Sequence, residues 1–133
     1  MMIATKGRNA LKVMLDLAQH DDGTNVSLAD IAERVKESQK YIEATVAALS
    51  SAGLITSARG KLGGYRLARK PGEYNVAEII IAAEGSLAPV SCLDGNCENA
   101  CNCLTLPLWK ELDEVISNFL KSKSLADLLK QDK

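Results

Sequence analysis

The alternation of apolar and polar positions divides the chain into short helical segments, one hairpin and one long loop. Leu11, Met14, Leu15, Leu17 and Ala18 recur at helical spacing, which predicts an amphipathic helix from Gly7 to about His20, ended by Asp21-Asp22-Gly23. Ser27 with Asp30 three residues on marks a second helix start, and Leu28, Ile31, Ala32 and Val35 supply its apolar face. Ser38 is placed to cap a third helix. There Tyr41, Ile42, Thr45, Val46 and Leu49 face inward until Gly53 stops it, and Gln39, Lys40, Glu43 and Ala47 are left on the outer face.

Between Leu54 and Ala68, two strand-like runs bracket a glycine-rich basic turn, a pattern that predicts a β-hairpin with a cationic tip. Pro71-Gly72 breaks the chain, and Asn75 with Glu78 forms a capping pair for a fourth helix reaching about Glu84. A loop follows from about Gly85 to Asn102. From Leu104 to about Lys121, the positions Leu108, Trp109, Leu112, Val115, Ile116, Phe119 and Leu120 form an apolar stripe too wide for one small core. Such a helix is expected to pair with a copy of itself, with Trp109 as an anchor. Ser124 starts a last short helix, and Lys130 to Lys133 are expected to fray.

The fold class is therefore mainly α with a small β-hairpin. Three helices and then a hairpin within about seventy residues is the order of a winged helix-turn-helix, in which the third helix enters the major groove of DNA and the wing touches backbone or minor groove. Residues 1–72 are expected to form the DNA-binding region and residues 73–133 a cysteine-loop and dimerisation-helix region, within one integrated domain.

Composition sharpens this picture. The 133 residues are 47% hydrophobic, enough for a core without staples. The net charge of −1 hides a split: residues 1–72 carry 11 Lys/Arg against 7 Asp/Glu, or +4, and residues 73–133 carry 5 against 10, or −5. The basic half suits phosphates. The start of the sequence lacks the apolar stretch of a secretory signal, and no segment approaches the ~18 apolar residues of a membrane span. A cytoplasmic protein with no membrane partner is expected.

On the third helix, Ser38, Gln39, Lys40 and Glu43 are the residue kinds that read groove edges: Gln pairs with adenine, Lys with guanine, and Glu accepts from cytosine or repels wrong bases. On the wing, Arg59 and Lys61 would bind backbone or a narrow minor groove, with Gly60, Gly63 and Gly64 permitting close approach. Lys6 and Arg8 would add phosphate contacts from the first helix. Tyr41, Tyr65 and Met14 are assigned to the core. A single histidine, His20, and no nucleophile–base set argue against an enzyme.

All four cysteines, Cys92, Cys97, Cys101 and Cys103, fall within twelve residues. In a reducing compartment, such clusters bind metal or sense redox state more often than they form structural disulfides. Soft thiolates suit iron–sulfur, zinc or copper(I), and equally a disulfide switch. Asp94-Gly95-Asn96 gives the loop flexibility to wrap a compact inorganic core. Only Cys97 and Cys101 have the spacing of a zinc knuckle. Cys101 and Cys103, one residue apart, would be strained as ligands of the same iron.

Thr5-Lys-Gly-Arg8, Leu28-Ala-Asp-Ile-Ala32, the segment Gly53 to Tyr65, Val76-Ala-Glu-Ile-Ile80 and Cys103-Leu-Thr-Leu-Pro-Leu-Trp109 resemble the Rrf-type bacterial transcription regulators, the IscR-like branch above all. The resemblance covers almost the whole chain. It implies a homodimer bound to double-stranded operator DNA, with a long C-terminal helix crossing between subunits. It further implies an iron–sulfur cluster, first a 2Fe–2S and alternatively a 4Fe–4S cluster, on Cys92, Cys97 and Cys103. The fourth ligand does not carry over. The IscR-like histidine position is Leu106 here, the acidic position of NsrR-like members is Arg8, and His20 is far from the loop in sequence. Cys101 is the next candidate, with Glu98 or Glu84 behind it. Cluster supply, nitric oxide or redox state would be the signal, and RNA polymerase or an enzyme are conceivable partners. Two alternatives stand beside this one: a thiol-switch or cysteine-metabolism regulator of CymR-like type without a cluster, and a metal-binding protein-interaction module.

Overall fold

The computed structural model describes residues 3–89, Leu93 and 103–130. Helices α1 (Thr5–Gln19), α2 (Leu28–Val35) and α3 (Gln39–Ser51) precede strands β1 (Ile55–Ala58) and β2 (Gly64–Leu67); α4 (Val76–Glu84), α5 (Leu106–Lys121) and α6 (Leu125–Leu129) follow. This is the mainly helical, hairpin-bearing fold expected. The caps fall where the sequence places them: the side-chain oxygens of Ser27, Ser38, Asn75 and Ser124 accept from the backbone amides of Asp30, Tyr41, Glu78 and Asp127. Helix α1 starts two residues before Gly7 and ends one residue before His20. Helix α5 starts at Leu106 rather than Leu104, with Pro107 in its first turn, where a missing N–H costs nothing.

The principal core joins the apolar faces of α1, α2 and α3 to the hairpin and to the back half, with Val13, Met14, Ile31, Ile42, Leu49, Ile79 and Leu125 fully buried. Residues from both sides of Gly72 share it. The hairpin pairs Ile55 with Leu67 and Ser57 with Tyr65 in antiparallel register. Val26, between α1 and α2, adds a third edge by exchanging two 2.8 Å backbone hydrogen bonds with Tyr65. That pairing brings the backbones so close that a Cβ on Gly64, whose φ is +143°, would lie 2.4 Å from the Val26 carbonyl oxygen.

Tyr74 ties the two halves together. It is 1% exposed, and its hydroxyl donates to the Leu54 carbonyl (2.6 Å) while accepting from the amides of Ala68 and Arg69 (2.9 Å each). Burial raises the phenol above its ordinary pKa, so it stays protonated and keeps donating. Its backbone carbonyl accepts from Leu125, which seats α6. Arg69 lies over the ring at 4.7 Å and reaches Glu78 of α4 with two nitrogens at 3.2 and 3.0 Å.

Helix α5 behaves differently. None of its residues is buried; Leu108, Leu112, Val115 and Phe119 are exposed, and Leu120 packs at the edge of a small cluster of Val76, Ala77, Ile80 and Leu87.

Tyr74→Phe keeps the ring, strips the Arg69 amide of its partner and leaves the Leu54 carbonyl and the Ala68 amide only their long 3.4 Å bond to each other, so it should lower unfolding free energy by about 2 kcal/mol. The urea midpoint measures this; an unchanged midpoint would mean that water or rearrangement replaces the hydroxyl.

Candidate nucleic-acid interface and cysteine site

Gln39, Lys40 and Glu43 all lie exposed on the outer face of α3, held there by Ile42, Val46 and Leu49 on the opposite face. Ser38 is exposed as well, but its oxygen is engaged in capping, which leaves only its hydroxyl proton for a phosphate. Thr45, buried, donates to the Tyr41 carbonyl and belongs to the core side. Tyr41 is half-buried rather than fully inward.

The wing carries Arg59, Gly60 and Lys61 exposed at its tip. Its position is fixed by long-range contacts absent from any local pattern: Asn25 Nδ2 donates to the Leu62 carbonyl (2.9 Å), and Arg66 donates to the Gly23 carbonyl (2.9 Å). A Cβ on Gly63 would meet Ala58 O at 2.4 Å, so Gly63, like Gly64, is required by the protein's own backbone packing before any DNA approaches. Between the wing and the start of α2 lies a hollow lined by Ser27, Leu28, Ser57 and Arg59 among others.

The cations divide into two sets. Asp16, 6% exposed, holds Arg34 through two contacts of 2.7 and 3.0 Å, which raises the already basic guanidinium further; Arg69 is held likewise by Glu78. These two are structural. Lys6, Lys40, Arg59 and Lys61 take part in no ion pair among the described residues and remain available to an anion. Among the described residues the Arg8 guanidinium reaches Thr5 Oγ1, at 3.4 Å. His20, whose Nδ1 lies 2.8 Å from the Asp16 carbonyl oxygen, sits at the far end of α1 from Lys6.

Lys6 and Arg8 stand at an N-terminus that no local side chain caps. The cap comes from Glu84, the last residue of α4, whose Oε2 accepts from the amides of Ala4 (2.6 Å) and Gly7 (3.0 Å). As a sequence position Glu84 is a reserve metal ligand; in the folded chain it is engaged at α1.

Cys92, Cys97 and Cys101, together with Glu98, lie outside the described residues, so their geometry is not described. Among the described residues no group of three or more metal-ligating side chains gathers. Cys103 is described: half-exposed, three residues ahead of α5, with Sγ 3.1 Å from Thr105 Oγ1. The Thr105 hydroxyl, helped by the backbone amides of Thr105 and Leu106, holds this thiol below its ordinary pKa. A thiolate stabilised in this way fits a soft-metal ligand and a redox-active sulfur equally.

A groove lined by Ile3, Leu87, Pro89, Val115, Ile116, Phe119 and Leu120 runs along α5. No helix among the described residues is long and apolar enough to cross a membrane.

The family model described as Rrf2, iron-dependent transcriptional regulator, matches residues 3–131. The chain is 42% identical over 131 residues to the HTH-type transcriptional regulator IscR of Xenorhabdus nematophila, covering 98% of this chain and 80% of that one. It is 38% identical to IscR of Vibrio campbellii, over 99% of this chain and 79% of that one. The structure of IscR from T. potens superposes with a TM-score of 0.80 at 37% identity, covering 100% of this chain and 89% of that one. CymR, the global cysteine regulator of B. subtilis, superposes with a TM-score of 0.76 at 34% identity, covering 100% and 99%. The oxidized form of Staphylococcus aureus CymR gives 0.78 at 32%, with the same coverage.

With the other three cysteines changed to Ser, Cys103 should alkylate with iodoacetamide along a pH profile displaced to lower pH than a free thiol. Thr105→Val should move that midpoint upward; coincident profiles for the two proteins would remove Thr105 as the cause.

Proposed function

Because the chain belongs to the Rrf2 family of iron-dependent transcriptional regulators, we propose that it binds operator DNA as a homodimer and reports the state of an iron–sulfur cluster held in its cysteine loop. The family is one of regulators rather than enzymes, with DNA-binding control of transcription as its business. The finer assignment is carried chiefly by one juxtaposition: a thiol poised toward thiolate stands three residues ahead of a helix whose apolar face is left exposed among the described residues.

In this scheme α3 enters the major groove, Gln39 and Lys40 read base edges, Glu43 sets which sequences are rejected, and Ser38 meets a phosphate. Arg59 and Lys61 bind backbone or narrow minor groove from the wing, with Gly60, Gly63 and Gly64 shaping it, while Lys6 and Arg8 add phosphate contacts from α1. A second copy covers Leu108, Leu112, Val115 and Phe119 of α5. Two α3 helices related by that two-fold would then address half-sites at a fixed spacing.

Cys92, Cys97 and Cys103 would hold the cluster, with Cys101 as fourth ligand; a 2Fe–2S core is preferred and a 4Fe–4S core is the alternative. When bound, such a group supplies iron and sulfide that oxidants, nitric oxide or cluster shortage can change. The chain's own contribution is mechanical: Cys103 fixes the root of α5, so ligation there biases the dimer helix and with it the presentation of the two α3 helices. The likeness to CymR, including an oxidized form, supports a second possibility, a thiol switch without a cluster in a regulator of cysteine metabolism.

Anaerobic purification followed by a visible spectrum and iron and sulfide assays decides between them. A coloured protein containing iron and sulfide, whose operator affinity changes when the cluster is removed, is expected; Cys101→Ala should bleach it. A colourless, iron-free protein whose affinity follows thiol oxidation would transfer the assignment to the thiol switch. On the DNA side, Arg59→Ala should weaken binding to every duplex and flatten the salt dependence by about one ion. Glu43→Ala should instead change the preferred sequence. Gel shifts over a panel of duplexes separate the two effects, and identical profiles for both variants would contradict the division of roles.

A further inference from the structure

The wing tip carries an apolar residue that no packing need explains. Leu62 is 88% exposed, between Lys61 and Gly63, and its carbonyl is held from behind by Asn25 at 2.9 Å. The Gly63 amide closes the turn onto the Gly60 carbonyl at 3.0 Å, and Gly64 is locked against Val26. The tip is thus a braced turn rather than a loose loop, and its outermost large side chain is a leucine. A leucine in water forfeits the free energy that burial of its surface would give. Its flanks, Arg59 and Lys61, are cations without ion-pair partners among the described residues, so the surface complementary to this tip is a polyanion with apolar walls.

The minor groove of DNA meets that description: phosphates along its rims, sugar walls, and a floor that differs between base pairs. At A·T the floor shows only acceptors, whereas at G·C the guanine N2 amino group projects into the groove as a donor. An aliphatic side chain over that donor shuts out water and offers no acceptor, so the donor goes unpaired at a real energetic cost.

We infer that Leu62 is a specificity residue that packs into the minor groove over A·T pairs and rejects G·C by leaving guanine N2 without a partner. This rests on the DNA-binding function proposed above and adds a contact that the charged wing residues do not make. Apolar side chains placed in the minor groove are a recurring device of DNA-binding proteins. Here the discrimination comes from desolvation rather than from a hydrogen bond.

Inosine provides the test, since an I·C pair lacks the N2 amino group but keeps the major-groove face of G·C. Duplexes selected from a random pool with the full-length protein would be remade with A·T, I·C or G·C at each position, and affinities measured for wild type and Leu62→Ser. Wild type is expected to bind I·C about as well as A·T and G·C about tenfold more weakly at the wing-facing position. Leu62→Ser, whose hydroxyl can accept from N2, should collapse that ratio to near one while leaving discrimination at positions read by α3 unchanged. The substitution is at an exposed side chain whose backbone contact is kept, so folding is not at issue. A variant that retains the full I·C to G·C ratio would overturn the inference, as would a wild type indifferent to N2 at every position. If the protein selects no duplex at all, the DNA-binding function falls first and this inference falls with it.

Discussion

The structure hangs on one buried phenol. The Tyr74 hydroxyl satisfies the carbonyl that ends the α3–β1 connection and the two amides that follow β2, so the strand pair leaves the helical core at a set angle. The same residue's backbone anchors α6, and its ring supports the Arg69 guanidinium that clamps α4. The Arg69 amide is thereby paired, and the long bond from the Ala68 amide to the Leu54 carbonyl is reinforced, at a hydroxyl whose own ring is buried, where an unpaired group is costly. The wing and the C-terminal half consequently share this node, and displacing one from the other would break its hydrogen bonds.

The surface around this node divides by charge. Side chains turned toward α3's outer face and the wing tip include cations left unneutralised, whereas Arg34 and Arg69 are consumed by carboxylates in structural pairs. Helix α5 offers apolar surface instead. The basic surface and the apolar one are therefore separate functions of a single small fold, which agrees with the split of net charge along the chain and with the family to which it belongs.

Much of this was legible in the sequence because caps and periodicity are local. Ser27, Ser38, Asn75 and Ser124 each announce a helix start within a four-residue window, and spacing finds most of the inward faces of α2 and α3. In α1 it finds Met14 and Leu17 but not Ala10 and Val13, which are the fully buried neighbours of the partly buried Leu11, Leu15 and Ala18. Tyr74, Asp16 and Glu84 gave no such signal. Each acts on a partner 5 to 80 residues away, mostly on backbone atoms that every residue possesses, so nothing in the local pattern distinguishes them from solvated polar side chains. Gly63 and Gly64 have a reason beyond the approach of a duplex that the sequence did not offer: the backbones of Ala58 and Val26 leave no room there for a Cβ. The cysteines announced their chemistry by clustering, but clustering does not choose among ligand sets, and three of the four fall outside the described residues.

The Glu84 cap has a consequence for how this chain can vary. Helix α4 starts at the Asn75 cap and must deliver a carboxylate to the amides of Ala4 and Gly7, where even the Gly7 position leaves only 3.0 Å between an added Cβ and Glu84. Each residue of an α-helix advances the side-chain direction by about 100° and the axis by about 1.5 Å. Inserting or deleting one residue in α4 would swing the carboxylate off α1 entirely. The helix is therefore a ruler of fixed length: point substitutions along it are negotiable, but insertions and deletions are confined to the loop that follows.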